Sequence, residues 1–228
     1  NYIKEIKPDI IGMQEVLDPQ LVFLDLSLTE FSFVGVGRED GKTKGEYSPI
    51  LYNSNRLTLL QTDTFWLSET PKVISVGWDA ALERICTYAQ FKHKETGQKF
   101  WVFNTHFDHI GELARIQSAK LIHQKIKMLN TNNFPVIITG DFNLTPDTAP
   151  IKIFQNAYVD VMQKTPTNAN NYGTFTGFDK LSNGEERIDY IFQKGLKTLK
   201  STHIWLKTTS GGWASDHHPV QAIFSFNY

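Results

Sequence analysis

Cysteine is almost missing from this chain: Cys86 is the only one in 228 residues, which excludes an intrachain disulfide and a cysteine-based zinc site. No apolar run approaches the ~20 residues a membrane-spanning helix needs, so the sequence offers no transmembrane segment. An excess of either charge is also lacking, with Lys+Arg 23 against Asp+Glu 24 and a formal net charge of -1. Proteins whose affinity comes mainly from neutralising nucleic-acid phosphates carry a basic excess that is not found here. Internal repeats, low-complexity stretches and Pro/Gly/Ser linkers are absent as well. Residues 1–228 therefore read as a single domain, a length that layered α/β folds reach without splitting.

Hydrophobic residues make up 40% of the chain and aromatics 13%, enough for a sizeable core. Short β-rich runs recur at Ile10–Met13, Phe31–Val36, Pro49–Tyr52, Leu57–Leu60, Ile85–Phe91, Phe100–Asn104, Val136–Thr139, Ile188–Phe192 and Val220–Phe226. Several are apolar on both faces, as strands buried between two layers are. One clear helix interrupts them: Leu113, Ile116, Ile122, Ile126 and Leu129 recur at helical spacing between Glu112 and Leu129. Shorter helices are expected around Leu21–Leu28 and, after Pro146, around Ala149–Phe154. Strands outnumber helices and follow one another at hairpin-like spacing, which predicts two packed mixed sheets flanked by helices. The chain opens at Asn1-Tyr2-Ile3 inside a helical pattern that leads to the first strand.

Polar residues gather where these strands run out. Gln14-Glu15 follows Pro8-Asp9-Ile10-Ile11-Gly12-Met13, and Gly140-Asp141-Phe142-Asn143 follows Val136–Thr139. Arg187-Ile188-Asp189-Tyr190-Ile191-Phe192 and Ser215-Asp216-His217-His218-Pro219-Val220 complete the set. Carboxylates, an amide and imidazoles together form a donor set suited to Mg²⁺ and a phosphate ester. A carboxylate such as Glu15 at the end of a buried strand loses by desolvation unless it is paired or metal-bound, though a solvated strand-end glutamate is the plain alternative. Asp141 and Asn143, two apart, share a side if the strand geometry persists; the competing reading is a turn, which both residue types favour.

The strings PDIIGMQEV, NTHFDH, GDFN, RIDYIF and SDHHPV, in this order over nearly the whole chain, resemble the endonuclease/exonuclease/phosphatase superfamily. The segment Phe65–Pro71, with Gly77-Trp78-Asp79-Ala80-Ala81 and Arg84 after it, looks more like poorly characterised bacterial members than any named nuclease. The resemblance implies a DNase I-like four-layer α/β sandwich and a metal-dependent phosphoric ester hydrolase, with Mn²⁺ as a substitute for Mg²⁺. It also implies an opening strand carrying an Asn near the metal, which this sequence does not show ahead of Asn1. No protein partner is evident in the sequence.

By the same resemblance Glu15 binds the metal with Asp216 near it, and Asp141 and Asn143 activate water and position phosphate. His217 is oriented by Asp189, a pairing that fixes one tautomer and raises basicity at the other nitrogen. Glu46 and His106 look like a second carboxylate–histidine pair, and Arg84 like an arginine that contacts phosphate; an ordinary loop charge and a surface arginine are the plain alternatives. His218 reads as structural. Trp78 and Trp213, beside loop glycines, are candidate stacking surfaces for a sugar or base, with core or loop anchoring as the plain alternative. The balanced charge and these tryptophans favour a sugar-containing phosphoester. A nuclease acting on DNA or RNA is the near alternative, and a non-catalytic module binding carbohydrate or protein is the distant one.

Overall fold

The computed structural model describes residues 2–164, 173–179, 181–182, 184 and 186–226. A central sheet has the strand order β4-β5-β6-β7-β9-β8. Its members are β4 (Leu57–Trp66), β5 (Ile85–His93), β6 (Lys99–His106), β7 (Val136–Asp141), β8 (Val159–Asp160) and β9 (Asp189–Lys194). Among the described residues only the β6–β7 pairing is parallel, and the intervening α3 (Glu112–Leu129) supplies the crossover that a parallel connection needs. Opposite this sheet lie a three-stranded sheet and a two-stranded one. The first joins β1 (Ile10–Gly12), β2 (Phe31–Val34) and β3 (Ile50–Asn53); the second joins β10 (Leu196–His203) and β11 (Val220–Phe226).

Alternation along the central strands separates two apolar layers. Trp101 and Phe103 of β6, Val136 and Ile138 of β7, and Tyr190 and Phe192 of β9 pack under α3 and α4 (Ala149–Gln155), with Phe107, Phe142 and Phe154 among them. On the other face Phe100 and Val102, Ile137 and Ile191 meet Val34, Ile50, Leu196 and the inner side of β11. A third cluster, around Leu21, Phe31 and Leu51, covers the outer face of the three-stranded sheet with α2 (Asp18–Ser27) and Ile3 of α1 (Tyr2–Ile6). Helix, sheet, sheet and helix stack as the expected four-layer sandwich. One further short helix, α5 (Val161–Lys164), follows β8.

The expected helix at Glu112–Leu129 forms with those bounds, but its buried stripe is Ala114, Ser118, Ala119, Ile122 and Ile126. Leu113 points outward and is 46% exposed. The small residues let the first turns lie close to the sheet, and Asp79 from the β4–β5 connection accepts the backbone N–H groups of Leu113 and Ala114 at 3.1 and 2.6 Å. That carboxylate caps a helix whose Gly111 offers no side chain to do so. Strands β8 and β10 went unread in the sequence.

Candidate active site

Strand register builds the site. His106 pairs with Asp141, and Asp141 pairs with Asp189, so the last residues of β6 and β7 and the first of β9 stand side by side. Neighbouring strands run about 4.8 Å apart, which puts adjacent side chains on one face within reach of each other. All three point toward the facing sheets, the side taken lower down by Val102, Ile137 and Ile191. Apolar packing thus fixes the layer, and the strand ends convert it to polar chemistry.

The facing sheet is riveted to this row by Asn104, which is fully buried. Its Nδ2 donates to the carbonyls of Met13 and Pro49 at 2.7 and 2.9 Å, while its Oδ1 accepts from Gln14 at 2.7 Å and from Thr139 at 2.8 Å. Contact is close enough that a Cβ on Gly12 would lie 2.2 Å from Thr139 Oγ1 and 2.6 Å from Asn104 Oδ1. Glycine at position 12 is therefore a requirement of the sheet–sheet approach. The rivet delivers Glu15, whose Oε1 lies 4.0 Å from His106 Nε2.

Glu15 does not end a buried strand as expected. β1 stops at Gly12, and Glu15 sits beyond it with φ 59 and a side chain 54% exposed. A left-handed glutamate costs on the order of 1–3 kcal/mol and persists where its surroundings impose it. Asn143 corrects the second extrapolation. The strand does not continue past Asp141; Asn143 has φ 49, and its N–H donates to Asp141 Oδ1 at 2.8 Å. The turn and the shared side coexist, because the left-handed residue swings the amide back to the row. Phe142, between them, is fully buried in the core and anchors the turn.

His217 Nδ1 lies 2.8 Å from Asp189 Oδ2, and its Nε2 lies 3.8 Å from Asp141 Oδ2. Burial alone would lower its pKa, but the hydrogen bond and charge of Asp189, with Asp141 and Asp216 behind them, carry it up to about 9. His106 behaves oppositely. Asn143 Nδ2 donates to the Phe107 carbonyl at 3.0 Å, which fixes the amide's orientation, and reaches His106 Nε2 at 3.1 Å. His106 Nε2 must then accept, leaving the proton on Nδ1. Burial and the charges of Arg84 and Arg38 push the His106 pKa well below 6.5, in agreement with a neutral ring. Asp141, 3.4 Å from that ring, is raised to about 7 by burial and by Asp189, against the pull of His217. One cationic and one neutral imidazole thus flank a carboxylate.

Ligand atoms of Asp141, Asp189 and His217 lie within 4.8 Å of one another, a spacing able to hold a metal ion. Glu15 is raised by burial and by the charges of Glu46 and Asp216, so carboxylates crowd here as well. Such mutual repulsion is what a divalent cation relieves, and the oxygen-rich donor set fits a hard ion. The Asp216 carbonyl accepts from Thr176 N and Oγ1 at 2.7 and 2.9 Å, which pins the segment that carries His217.

The remaining sequence candidates fall in different places. Glu46 Oε2 is 4.0 Å from His106 Nδ1, beyond hydrogen-bond range, and instead takes Arg38 Nη1 at 2.6 Å. Arg84 is buried, with Nε on Asp108 at 3.3 Å and Nη2 by His109 at 3.0 Å. Trp78 is half-buried at φ 52, its N–H held by Glu69 at 3.1 Å. Trp213 is only 5% exposed, under Lys207 and edge-on to His218, with Nε1 donating to the Asp179 carbonyl at 2.7 Å. It is a packing residue, the plain alternative, and not an open stacking face. His218 is buried against Trp205 and Trp213, as its structural reading implied. Arg38 escaped the sequence reading: between Gly37 and Glu39-Asp40 it looks like a solvated turn, yet it is 8% exposed.

A four-layer sandwich with carboxylates and imidazoles aligned on the ends of its central strands is the frame of a phosphoester hydrolase. The model of the Endonuclease/Exonuclease/phosphatase family matches residues 1–217, and the chain belongs to that family. It is similar to the mannosyl-6-phosphatase Bt3783 of Bacteroides thetaiotaomicron VPI-5482, 37% identical with TM-score 0.93 over 99% of this chain and 88% of that one. A functionally unknown conserved protein from Enterococcus faecalis V583 matches at 29% identity and TM-score 0.91, over 99% and 88% of the two chains. Protein L388 of Acanthamoeba polyphaga mimivirus, itself uncharacterized, is 30% identical over 98% of this chain and 88% of its own length. Among the described residues, no helix is long and apolar enough to cross a membrane.

Proposed function

We propose that this chain is a Mg²⁺-dependent hydrolase of a small, sugar-containing phosphate ester. The observation that carries the reading is the Asp141 carboxylate between His106 Nε2 at 3.4 Å and His217 Nε2 at 3.8 Å, with Asp189 behind His217. Glu15 and Asp216 would hold the cation, with Mn²⁺ as substitute. When bound, the metal would act as a Lewis acid on a phosphate oxygen.

The chain's own groups divide the remaining work. Asp141 and Asn143 orient a water toward phosphorus, the carboxylate as proton acceptor and the amide as a donor on the same side. Asp189 holds the proton on His217 Nδ1, so that Nε2 carries a second proton at neutral pH and can neutralise charge developing on phosphate or the leaving oxygen. His106, neutral and buried, receives the Asn143 amide and keeps it facing the row. The sugar preference is supported by the balanced charge and by likeness to a protein described as a mannosyl-6-phosphatase.

The test is phosphate release from a panel of sugar phosphates, including mannose 6-phosphate, beside single- and double-stranded DNA and RNA. Each is assayed with Mg²⁺ and with chelator. The reading expects chelator-sensitive turnover that is highest on a sugar phosphate. Salt-sensitive cleavage of nucleic acid that outpaces every sugar phosphate would replace it with a nuclease.

A further inference from the structure

Beside His106, on the side away from Asp141's neighbour Asp189, a small recess is lined by Arg38, Glu46, Tyr47, Ser48, Glu83, Arg84, Ile85 and His106. Arg38 and Arg84 are 8% and 5% exposed, and each holds a buried N–H that no group in the described structure accepts: Nε of Arg38 and Nη1 of Arg84. A buried, unpartnered donor on a charged group is costly, and two on neighbouring guanidiniums in one recess call for an acceptor.

Each arginine is held rather than free to seek one. The Arg38 backbone N–H donates to the Glu46 carbonyl at 3.1 Å, and its own carbonyl accepts from Trp66 Nε1 at 2.7 Å. Glu46 then takes Nη1, while Asp108 and His109 take Nε and Nη2 of Arg84. Asp108 is fixed in turn by the N–H groups of Ala81, Ile110 and Gly111. The Glu46 carboxylate also lines the recess and would repel an anion on its own; its pairing with Arg38 at 2.6 Å offsets that charge and points the guanidinium. Planar guanidiniums with donors left over suit an anion with several oxygens.

Resting on the phosphoester-hydrolase reading above, we infer that Arg38, acting with Arg84, is the residue that selects a terminal phosphate, making this chain a monoesterase. A phosphomonoester presents more unsubstituted oxygens and more negative charge than a diester, and the second organic group of a diester would occupy the place the arginines must reach. His106 is the shared wall between the recess and the catalytic row, so phosphate oxygens held by Arg38 lie next to the residues proposed to act on phosphorus. Arg38 binds substrate in this account and transfers no proton.

The experiment compares wild type, Arg38→Met and Arg38→Lys on a sugar phosphomonoester and on its methyl diester, with Mg²⁺, and measures inorganic phosphate binding by calorimetry. Loss of a charge-assisted hydrogen bond is expected to lower monoester kcat/KM by about 10- to 100-fold. Diester hydrolysis should fall by a clearly smaller factor, since removing the Arg38 charge also acts on His106, and phosphate affinity should fall in parallel with the monoester rate. The lysine variant, which keeps the charge without the fork, should recover part of both. Equal losses on monoester and diester, or phosphate affinity unchanged in both variants, would overturn the role of Arg38 and leave the hydrolase reading standing. Where Arg38→Met does not fold, the lysine variant's monoester-to-diester ratio decides alone. A wild-type protein inert on both substrates would instead sink the hydrolase reading, and this inference with it.

Discussion

Replacing Asp189 by Asn removes one charge while keeping an oxygen where Oδ2 stands, 2.8 Å from His217 Nδ1. The imidazole can still donate, so orientation is largely kept and the electrostatic contribution is isolated. In the native protein His217 titrates at about 9 against an ordinary 6.5, because Asp189, then Asp141 and Asp216, overcome the effect of burial. At 1.36 kcal/mol per pH unit that difference is about 3 kcal/mol in favour of the protonated ring, most of it from Asp189. Without the Asp189 charge, burial regains weight and the pKa should return toward 6.5 or below. NMR titration of the His217 ring in metal-free protein reads this directly. At pH 8 the variant's imidazole is then mostly neutral, and kcat/KM should drop by roughly 10²- to 10⁴-fold, the range for losing a positioned acid. The loss should be smaller at pH 6, where the weakened ring is still partly protonated. An unchanged His217 pKa, or a rate within about threefold of wild type at both pH values, would refute the reasoning.

Other outcomes follow from the same geometry. Glu15→Gln should weaken Mg²⁺ binding in calorimetry and reduce turnover at fixed metal, with partial recovery at high Mg²⁺, because its carboxylate belongs to the cluster with Glu46 and Asp216. Gly12→Ala places a methyl 2.2 Å from Thr139 Oγ1, so overpacking of about 1–3 kcal/mol should lower Tm and displace Glu15 from His106. Phe142→Ala, in a fully buried position between Asp141 and Asn143, should cost about 3–5 kcal/mol in denaturant unfolding. Above about pH 6.5, where the depressed His106 and His123 no longer act in the opposite sense, metal-free stability should fall with rising pH. Asp141, raised from 3.8 to about 7, binds more protons folded than unfolded between those values, and His217 does so between 6.5 and about 9. Both contributions are therefore present at low pH and lost on the way up. Thermal melts in chelator from pH 6.5 to 9 check this, and added Mg²⁺ should stabilise more at the upper end.

The sequence carried the layers and most of the row, because both rest on local signals. Strands buried on two faces show as continuous apolar runs, and Asp141 and Asp189 stand where such runs meet polar residues. What it could not carry depends on long-range contact. β10 is an outer strand with Lys197 and Lys200 and a register shift between Thr198 and Lys200, so its alternation is blurred. β8 spans only Val159–Asp160, below any periodic signal, and is fixed by Asp160 accepting both Arg187 nitrogens at 3.0 and 2.7 Å. Straight extension of strands misplaced Glu15 and Asn143, whose left-handed backbones are imposed by the rivet at Asn104 and the turn at Asp141. Arg38 and Trp213 show the same limit in opposite senses: a charge in an apparent surface turn proves buried, and an aromatic beside loop glycines proves packed. Burial is a property of the assembled layers, which neighbouring residues along the chain do not reveal.

The most direct test of the central claim is the Mg²⁺-dependent rate of phosphate release from the best sugar phosphate, measured for wild type and His217→Ala with and without chelator. The account expects wild-type turnover that chelator abolishes and that the variant lacks even at saturating Mg²⁺, both proteins being assayed well below their melting temperatures. Turnover that survives either chelator or the loss of His217 would contradict it.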